Sequence, residues 1–146
     1  MIAVGTLAPD FEAPDQDGRP FRLSALRGRP VVLYFYPKAD TPGCTLESKG
    51  FQAHLAEFAA QGVHVVGVSV DDCPAQKAFA QKYGLRFPLI ADVRKEVGEK
   101  YGVLGPRGPA RRVTFLLDAR GTVVEVVDSS SPDPHVERAR ARFLTA

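Results

Sequence analysis

Pro30-Val31-Val32-Leu33-Tyr34-Phe35-Tyr36-Pro37-Lys38-Ala39-Asp40-Thr41-Pro42-Gly43-Cys44 is the stretch on which the fold turns. Its first half is a continuous apolar run of β-branched and aromatic side chains. A strand with one wet face alternates polar and apolar residues, so this run predicts a central strand covered on both faces. The second half, with Pro37, Pro42 and Gly43, reads as a loop leading into a helix. Cys44, Phe51, Leu55 and Phe58 recur at i, i+7, i+11 and i+14, which is one helical face, and Gly62 ends that helix.

Working outward, Val63 to Val70 predicts a second buried strand. Asp71 or Asp72 caps a helix with Pro74 in its first turn, and Gly84 closes it. Phe87 to Ala91 reads as a short strand, after which Asp92 caps a helix carrying Val93, Val97 and Tyr101. Val113 to Leu117 and Thr122 to Val127 form a hairpin that adds antiparallel edge strands. Val136, Ala139, Phe143 and Leu144 mark a terminal amphipathic helix. Upstream, Phe11-x-Ala13 and Phe21-x-Leu23 flank a turn as an opening hairpin, and Ser24 to Leu26 makes one helical turn. Buried strands joined by helices imply parallel pairing with right-handed crossovers. The expected fold is α/β, a thioredoxin-like three-layer α/β/α sandwich with a central mixed β-sheet and an N-terminal β-hairpin. Residues 1–146 are expected to form one domain. Sites in open α/β sheets gather at the carboxyl ends of the strands. Cys44 follows the first central strand and Cys73 the second, so both belong to that end.

With 146 residues the chain is long enough to bury a core without staples. A net charge of +2 is too mild and too evenly spread to argue for nucleic-acid or membrane binding. The two cysteines are too few for a disulfide scaffold and too far apart for a common zinc spacing, so no metal is expected. The N-terminus carries no basic segment followed by an apolar stretch, and the run from Val31 to Tyr36 is too short to cross a bilayer. A cytoplasmic location follows as the expectation. There thiols are kept reduced, and paired cysteines are more often catalytic than structural.

The thiolate, not the thiol, attacks. Cys44 lies in a first helical turn, where free N–H groups and the helix dipole favour negative charge. Thr41 precedes it by one turn, so its hydroxyl can fold back toward the sulfur. Arg111 or Arg112, at the start of a neighbouring strand, can supply a cation. Pro37 can shield the site without competing for hydrogen bonds, because it has no N–H. The plainer reading is that Cys44 is a small buried hydrophobe on an apolar helical face. Residue chemistry alone leaves both readings open, and it leaves Arg111 and Arg112 undecided, since they point to opposite faces of one strand.

Phe35-Tyr36-Pro37-Lys38-Ala39-Asp40-Thr41-Pro42-Gly43-Cys44-Thr45 resembles the active-site segment of peroxiredoxins, with their Pro-x-x-x-Thr-x-x-Cys pattern. The Thr-Pro-Gly-Cys-Thr form is similar to the bacterioferritin-comigratory, or Q-type, subfamily. Gly5-x-x-Ala8-Pro9-Asp10-Phe11, Gly67-Val68-Ser69-Val70-Asp71, Phe87-Pro88-Leu89-Ile90-Ala91-Asp92 and Arg112-x-Thr114-Phe115-Leu116-Leu117-Asp118 resemble other family segments in order. The resemblance implies a thiol peroxidase needing no cofactor. Cys44 would be the peroxidatic nucleophile, which becomes a sulfenic acid. Thr41 would hydrogen-bond the peroxide and the thiolate, Arg112 would hold the thiolate, and Pro37 would shield the pocket. The backbone N–H groups of Gly43 and Cys44 would bind peroxide oxygens. The implied partners are a peroxide and a dithiol reductant such as thioredoxin. A monomer or weak dimer is expected.

Many Q-type members carry a resolving cysteine five residues after the nucleophile, where this chain has Lys49. Cys73 is then the internal candidate to resolve the sulfenic acid, with an external thiol as the other route. A thiol–disulfide oxidoreductase on the same fold is the main alternative, but Cys-x-x-Cys would put a cysteine at position 47, which is Glu47. A cysteine hydrolase needs a histidine base, and a redox-metal module needs a partner histidine. His54, His64 and His135 are expected to be ordinary surface or core residues. Glu47, one turn after Cys44, matches an acidic position common in the subfamily; it could orient the site or simply favour the helix N-terminus, and the second is expected. Arg138, Arg140 and Arg142 read as a solvated face.

Overall fold

A computed structural model describes residues 1–144. In chain order the elements are β1 (Glu12–Pro14), β2 (Pro20–Arg22), a 3-10 turn (Leu23–Leu26), β3 (Val31–Phe35), α1 (Pro42–Ala53), α2 (Leu55–Ala60), β4 (His64–Ser69), α3 (Cys73–Tyr83), β5 (Leu89–Ala91), α4 (Glu96–Tyr101), β6 (Val113–Leu117), β7 (Val123–Asp128) and α5 (Asp133–Phe143). β1 and β2 form the opening antiparallel hairpin. The other five strands form a mixed sheet in the order β5-β4-β3-β6-β7. β4 runs parallel to β3 and β5, and β6 runs antiparallel to β3 and β7.

β3 lies at the centre and is buried along its whole length, as its apolar run requires. Alternate residues serve opposite layers. Val31, Leu33 and Phe35 join Val66, Phe115 and Tyr101 on the face covered by α4 and the hairpin. Val32, Tyr34 and Tyr36 join Cys44, Phe51, Phe58, Phe79 and Ala139 under α1, α2, α3 and α5. The three-layer, thioredoxin-like sandwich is therefore present, with Cys44 packed against one face of the central strand.

The structure corrects several details. The helix expected from Cys44 to Gly62 is broken at His54, whose N–H bonds to Phe51 at i−3 and whose φ of −108° leaves the helical range. No glycine or proline marks this break, so residue chemistry gave no signal for it. The strand expected from Phe87 begins at Leu89. Asp92 does not adjoin α4; Lys95, with φ of 62°, is the residue before it, and Val93 is exposed outside the helix. Asp92 nonetheless caps from a distance, its two carboxylate oxygens accepting from Val97 N at 3.1 Å and Gly98 N at 2.8 Å. β6 is an internal strand rather than an edge, because it inserts between β3 and β7. Among the described residues no helix is long and apolar enough to cross a membrane.

Gly67 shows how tightly the functional layer is packed. A Cβ there would lie 2.9 Å from the Tyr34 ring and 3.0 Å from Leu89. Both neighbours are fully buried. Gly67→Ala is expected to destabilise the protein by about 1–3 kcal/mol through overpacking, read as a lower urea midpoint with an unchanged slope.

Candidate functional site

The loop from Pro37 to Thr41 is fixed from the side by the β4–α3 region. Ala39 N donates to the Asp71 carboxylate at 2.8 Å, and Ser69 Oγ donates to the same oxygen at 2.7 Å. Asp40 adopts a φ of 58°, a conformation that asparagine and aspartate tolerate better than most residues. Its carboxylate accepts from Tyr83 Oη at 2.6 Å and Lys82 Nζ at 3.0 Å, both from α3. The loop thus delivers Thr41 as the residue before α1, with Pro42 and Gly43 opening the helix and Cys44 in its first turn.

The first helical turn has no intrahelical acceptors for its N–H groups. Thr41 makes no side-chain cap to them, and its hydroxyl donates to the Lys38 carbonyl at 2.8 Å. The Gly43 and Cys44 amides are therefore left for a ligand, and Thr41 Oγ1 keeps its lone pairs for one. Thr41 does not hydrogen-bond the Cys44 sulfur in this state, so the expected fold-back onto the sulfur is absent. Cys44 is 1% exposed.

Arg112 supplies the cation. It precedes β6 and shares a strand face with Thr114 and Leu116, the face that α1 and α5 cover. Arg112 Nη2 donates to Cys44 Sγ at 3.5 Å, Nη1 to Glu47 Oε1 at 2.7 Å, and Nε to the Ser130 carbonyl at 3.0 Å. Arg111 turns the other way and pairs with Asp128 at 2.7 Å, with its side chain 49% exposed. Of the two arginines, Arg112 is thus the one that reaches the sulfur. Pro37, Arg111, Arg112, Asp128, Ser129 and Ser130 line one pocket. Thr41, Pro42, Thr45 and Leu46 line another, on the outer side of the same turn.

Gly43 leaves room for this arrangement. A Cβ there would lie 2.8 Å from Arg112 Nη2, so any other residue makes the end of the guanidinium shift from its place beside the sulfur.

His135 is a satisfied core histidine, as expected, whereas Glu47 differs from its expected role. Glu47 is fully buried beside Arg112, rather than a surface residue favouring the helix dipole. Burial pushes its carboxyl up to about 8, against the downward pull of Arg112. Burial works against the charge of Arg112 as well, but Glu47 and Cys44 hold its pKa above the ordinary value. His135, also fully buried, bonds Thr114 Oγ1 at 2.7 Å and the Ser129 carbonyl at 2.8 Å. α5 reaches this place because Gly50 of α1 admits Val136, whose Cγ2 would be 2.9 Å from a Cβ there. One signal was available: Glu47 stands at i+3 from Cys44, on the same helical face.

The other residues fall where expected or apart. Tyr34 and Tyr36 are both core residues, bonded to Ser48 at 2.8 Å and Gln76 at 2.6 Å. His54 pairs with Glu57, and His64 is exposed at the start of β4. Arg138 and Arg142 lie on a solvated face, where both engage Glu125. Cys73 begins α3, half-buried, and both cysteines are free thiols. Lys49 is exposed, its ammonium 5.8 Å from the Tyr83 ring centre.

The AhpC/TSA family model matches residues 4–126. "Putative peroxiredoxin bcp" of Coxiella burnetii (strain RSA 493 / Nine Mile phase I) is 39% identical, over 97% of this chain and 99% of its own. "Peroxiredoxin Bcp" of Escherichia coli (strain K12) is 37% identical, over 92% of this chain and 90% of its own. The crystal structure of peroxidoxin BcpB from Mycobacterium tuberculosis superposes with a TM-score of 0.93 at 39% identity, covering 99% of this chain and 97% of that one.

Gly43→Ala tests the cation at the sulfur without assuming any reaction. Displacing Arg112 removes a charge-assisted hydrogen bond, so Cys44 should be alkylated by iodoacetamide roughly tenfold more slowly, with Cys73 unaffected. An unchanged Cys44 rate would mean that Arg112 does not activate this thiol.

Proposed function

The chain belongs to the AhpC/TSA family and is a thiol-dependent peroxidase of the Bcp and peroxiredoxin Q kind, and from that premise we propose that Cys44 is the sulfur that attacks the peroxide. The observation that carries this reading is the Arg112 guanidinium 3.5 Å from Cys44 Sγ, at the amide-lined start of α1. Peroxides are the substrate class and thiols the reductant class of the family. The oxidoreductase alternative is not favoured, because position 47 holds a buried glutamate bonded to Arg112.

In the proposed step the Cys44 thiolate attacks one peroxide oxygen along the O–O axis. A sulfur–oxygen bond forms as the O–O bond breaks. Cys44 is oxidised to the sulfenic acid, and the leaving oxygen departs as water or alcohol after taking a proton. The Gly43 and Cys44 amides donate to the peroxide oxygens as negative charge develops on them. Thr41, its own proton committed to Lys38, accepts the peroxide O–H. Arg112 stabilises the attacking sulfur and the charge on the breaking bond. Pro37 lines the entrance beside Arg112 and offers no N–H to compete.

Resolution uses Cys73 or an external thiol, with thioredoxin or a similar dithiol returning the enzyme to its reduced state. A cytoplasmic setting suits this cycle. Cys44 is 1% exposed, so either route requires the first turn of α1 to open. Cys73, in the first turn of α3 beyond the adjacent strand β4, is at the same sheet end.

Peroxide consumption with a dithiol reductant tests the assignments. Cys44→Ser should lose activity altogether, and undiminished turnover would end the reading. Arg112→Ala should cost at least roughly a hundredfold in kcat/KM, as loss of a preorganised charge donor does. Arg111→Ala should stay near wild type, and equal small effects would refute the choice between the two. After one equivalent of peroxide, peptide mapping should recover a Cys44–Cys73 disulfide. Sulfenic acid at Cys44 with free Cys73 would assign resolution to an external thiol.

A further inference from the structure

Glu47 makes only half of the hydrogen bonds a buried carboxylate needs. Oε1 accepts from Arg112 at 2.7 Å, but Oε2 is the one buried side-chain oxygen or nitrogen among the described residues without a hydrogen-bond partner. It faces Nδ1 of His135 at 3.5 Å. The orientation of that ring is fixed by chemistry. Nε2 lies 2.8 Å from the Ser129 carbonyl, and a carbonyl only accepts, so Nε2 carries a hydrogen. In the neutral ring Nδ1 then has a single lone pair, which the Thr114 hydroxyl fills from 2.7 Å. Oε2 is left with no donor, a costly state for a carboxylate oxygen out of contact with water. One added proton removes the deficit. On Nδ1 it makes an N–H that reaches both Thr114 Oγ1 and Oε2; on Oε2 it makes an acid O–H that Nδ1 accepts once the Thr114 hydroxyl turns its proton aside.

We propose that Glu47 and His135 hold one proton between them, and that His135 is thereby a positioning residue for peroxide reduction, acting on Cys44 through Glu47 and Arg112. The proposal rests on Cys44 being the attacking sulfur. With the proton in place the pair adds no net charge, and the guanidinium faces a single anion, the Cys44 thiolate. With the proton lost, a buried carboxylate competes for Arg112 and adds a like charge beside the thiolate, which low-dielectric surroundings penalise. The groups that face the pair are Tyr34 from β3, Cys44 from α1, Arg112 ahead of β6, and Asp128 at the end of β7, itself paired with Arg111. Burial keeps Tyr34 in its neutral form. Burial also lowers the His135 pKa, with Arg112 adding to that effect, while it raises Glu47 to about 8. The raised Glu47 value retains the proton at neutral pH, and the lowered His135 value places it on the carboxyl rather than on the ring. An acid with a raised pKa keeps its proton up to that value and loses it above, so peroxide reduction falls as pH rises through about 8.

The test is nuclear magnetic resonance of the wild-type protein, following the ring nitrogens of His135 and the carboxyl carbon of Glu47 from acid to alkaline pH. A shared proton gives both signals one common midpoint, near 8, with Nε2 protonated throughout. A Glu47 that titrates in the ordinary carboxylate range, independently of His135, overturns the proposal. Kinetics supply the second arm. Glu47→Gln should abolish the alkaline fall in kcat/KM for hydrogen peroxide. His135→Asn should slow the reaction roughly tenfold at neutral pH and shift that fall, as loss of a hydrogen bond to a charged group does. Wild-type pH profiles in both variants would also overturn it. The resonance midpoints do not depend on turnover. Activity surviving in Cys44→Ser therefore refutes the nucleophile, whereas separate midpoints refute the shared proton alone.

Discussion

Arg112 carries a positive charge to a place where its side chain is only 9% exposed, and the site is arranged around meeting that charge. A guanidinium taken out of water costs several kcal/mol unless its donors are met. Here they are met by Glu47, by the Ser130 carbonyl and by the Cys44 sulfur. Cys44 and Glu47 come from α1 and Ser130 from the connection between β7 and α5, so the ion ties both of these to β6. The same need explains Gly43, whose missing side chain is the space the guanidinium occupies. A positive charge against a sulfur at a helix N-terminus is what a peroxide-reducing thiolate requires.

The loop before Cys44 is held by a separate set of bonds. Asp71 binds it at Ala39, and Lys82 with Tyr83 bind it at Asp40. These groups flank or belong to α3, the helix that Cys73 opens. The loop that presents the proposed nucleophile and the helix that bears the candidate resolving thiol are thereby one hydrogen-bonded assembly.

Glu47 and His135 form the buried polar layer beneath the ion pair. Such a layer is costly when one group lacks a partner and rigid when all are satisfied. Its single unpartnered oxygen lies between the arginine that touches the sulfur and a histidine that touches nothing outside the protein. The buried polar contacts therefore reach from Cys44 through Arg112 and Glu47 on α1 to His135 near the start of α5.

The apolar run at Val31 to Tyr36 by itself determined a strand buried on both faces, since no polar residue in it can face water. From that strand, and the helices punctuated by Gly62, Pro74 and Gly84, came the layered α/β fold and the place of both cysteines at one sheet end. The motif from Pro37 to Cys44 determined the family, because a Pro-x-x-x-Thr-x-x-Cys loop is a local feature. The break at His54 was not legible, as neither glycine nor proline stands there. The family resemblance favoured Arg112 over Arg111, and the tertiary structure shows that Arg112 is the one that reaches the sulfur. Strand alternation separates the two, but which face α1 covers depends on packing across the sheet. For the same reason it alone brought His135 to Glu47, residues far apart in the chain that meet because Gly50 lets α5 press against α1. Burial turned Glu47 from a helix-dipole residue into the partner of a buried cation. No local pattern encodes burial, which the packing of distant elements creates.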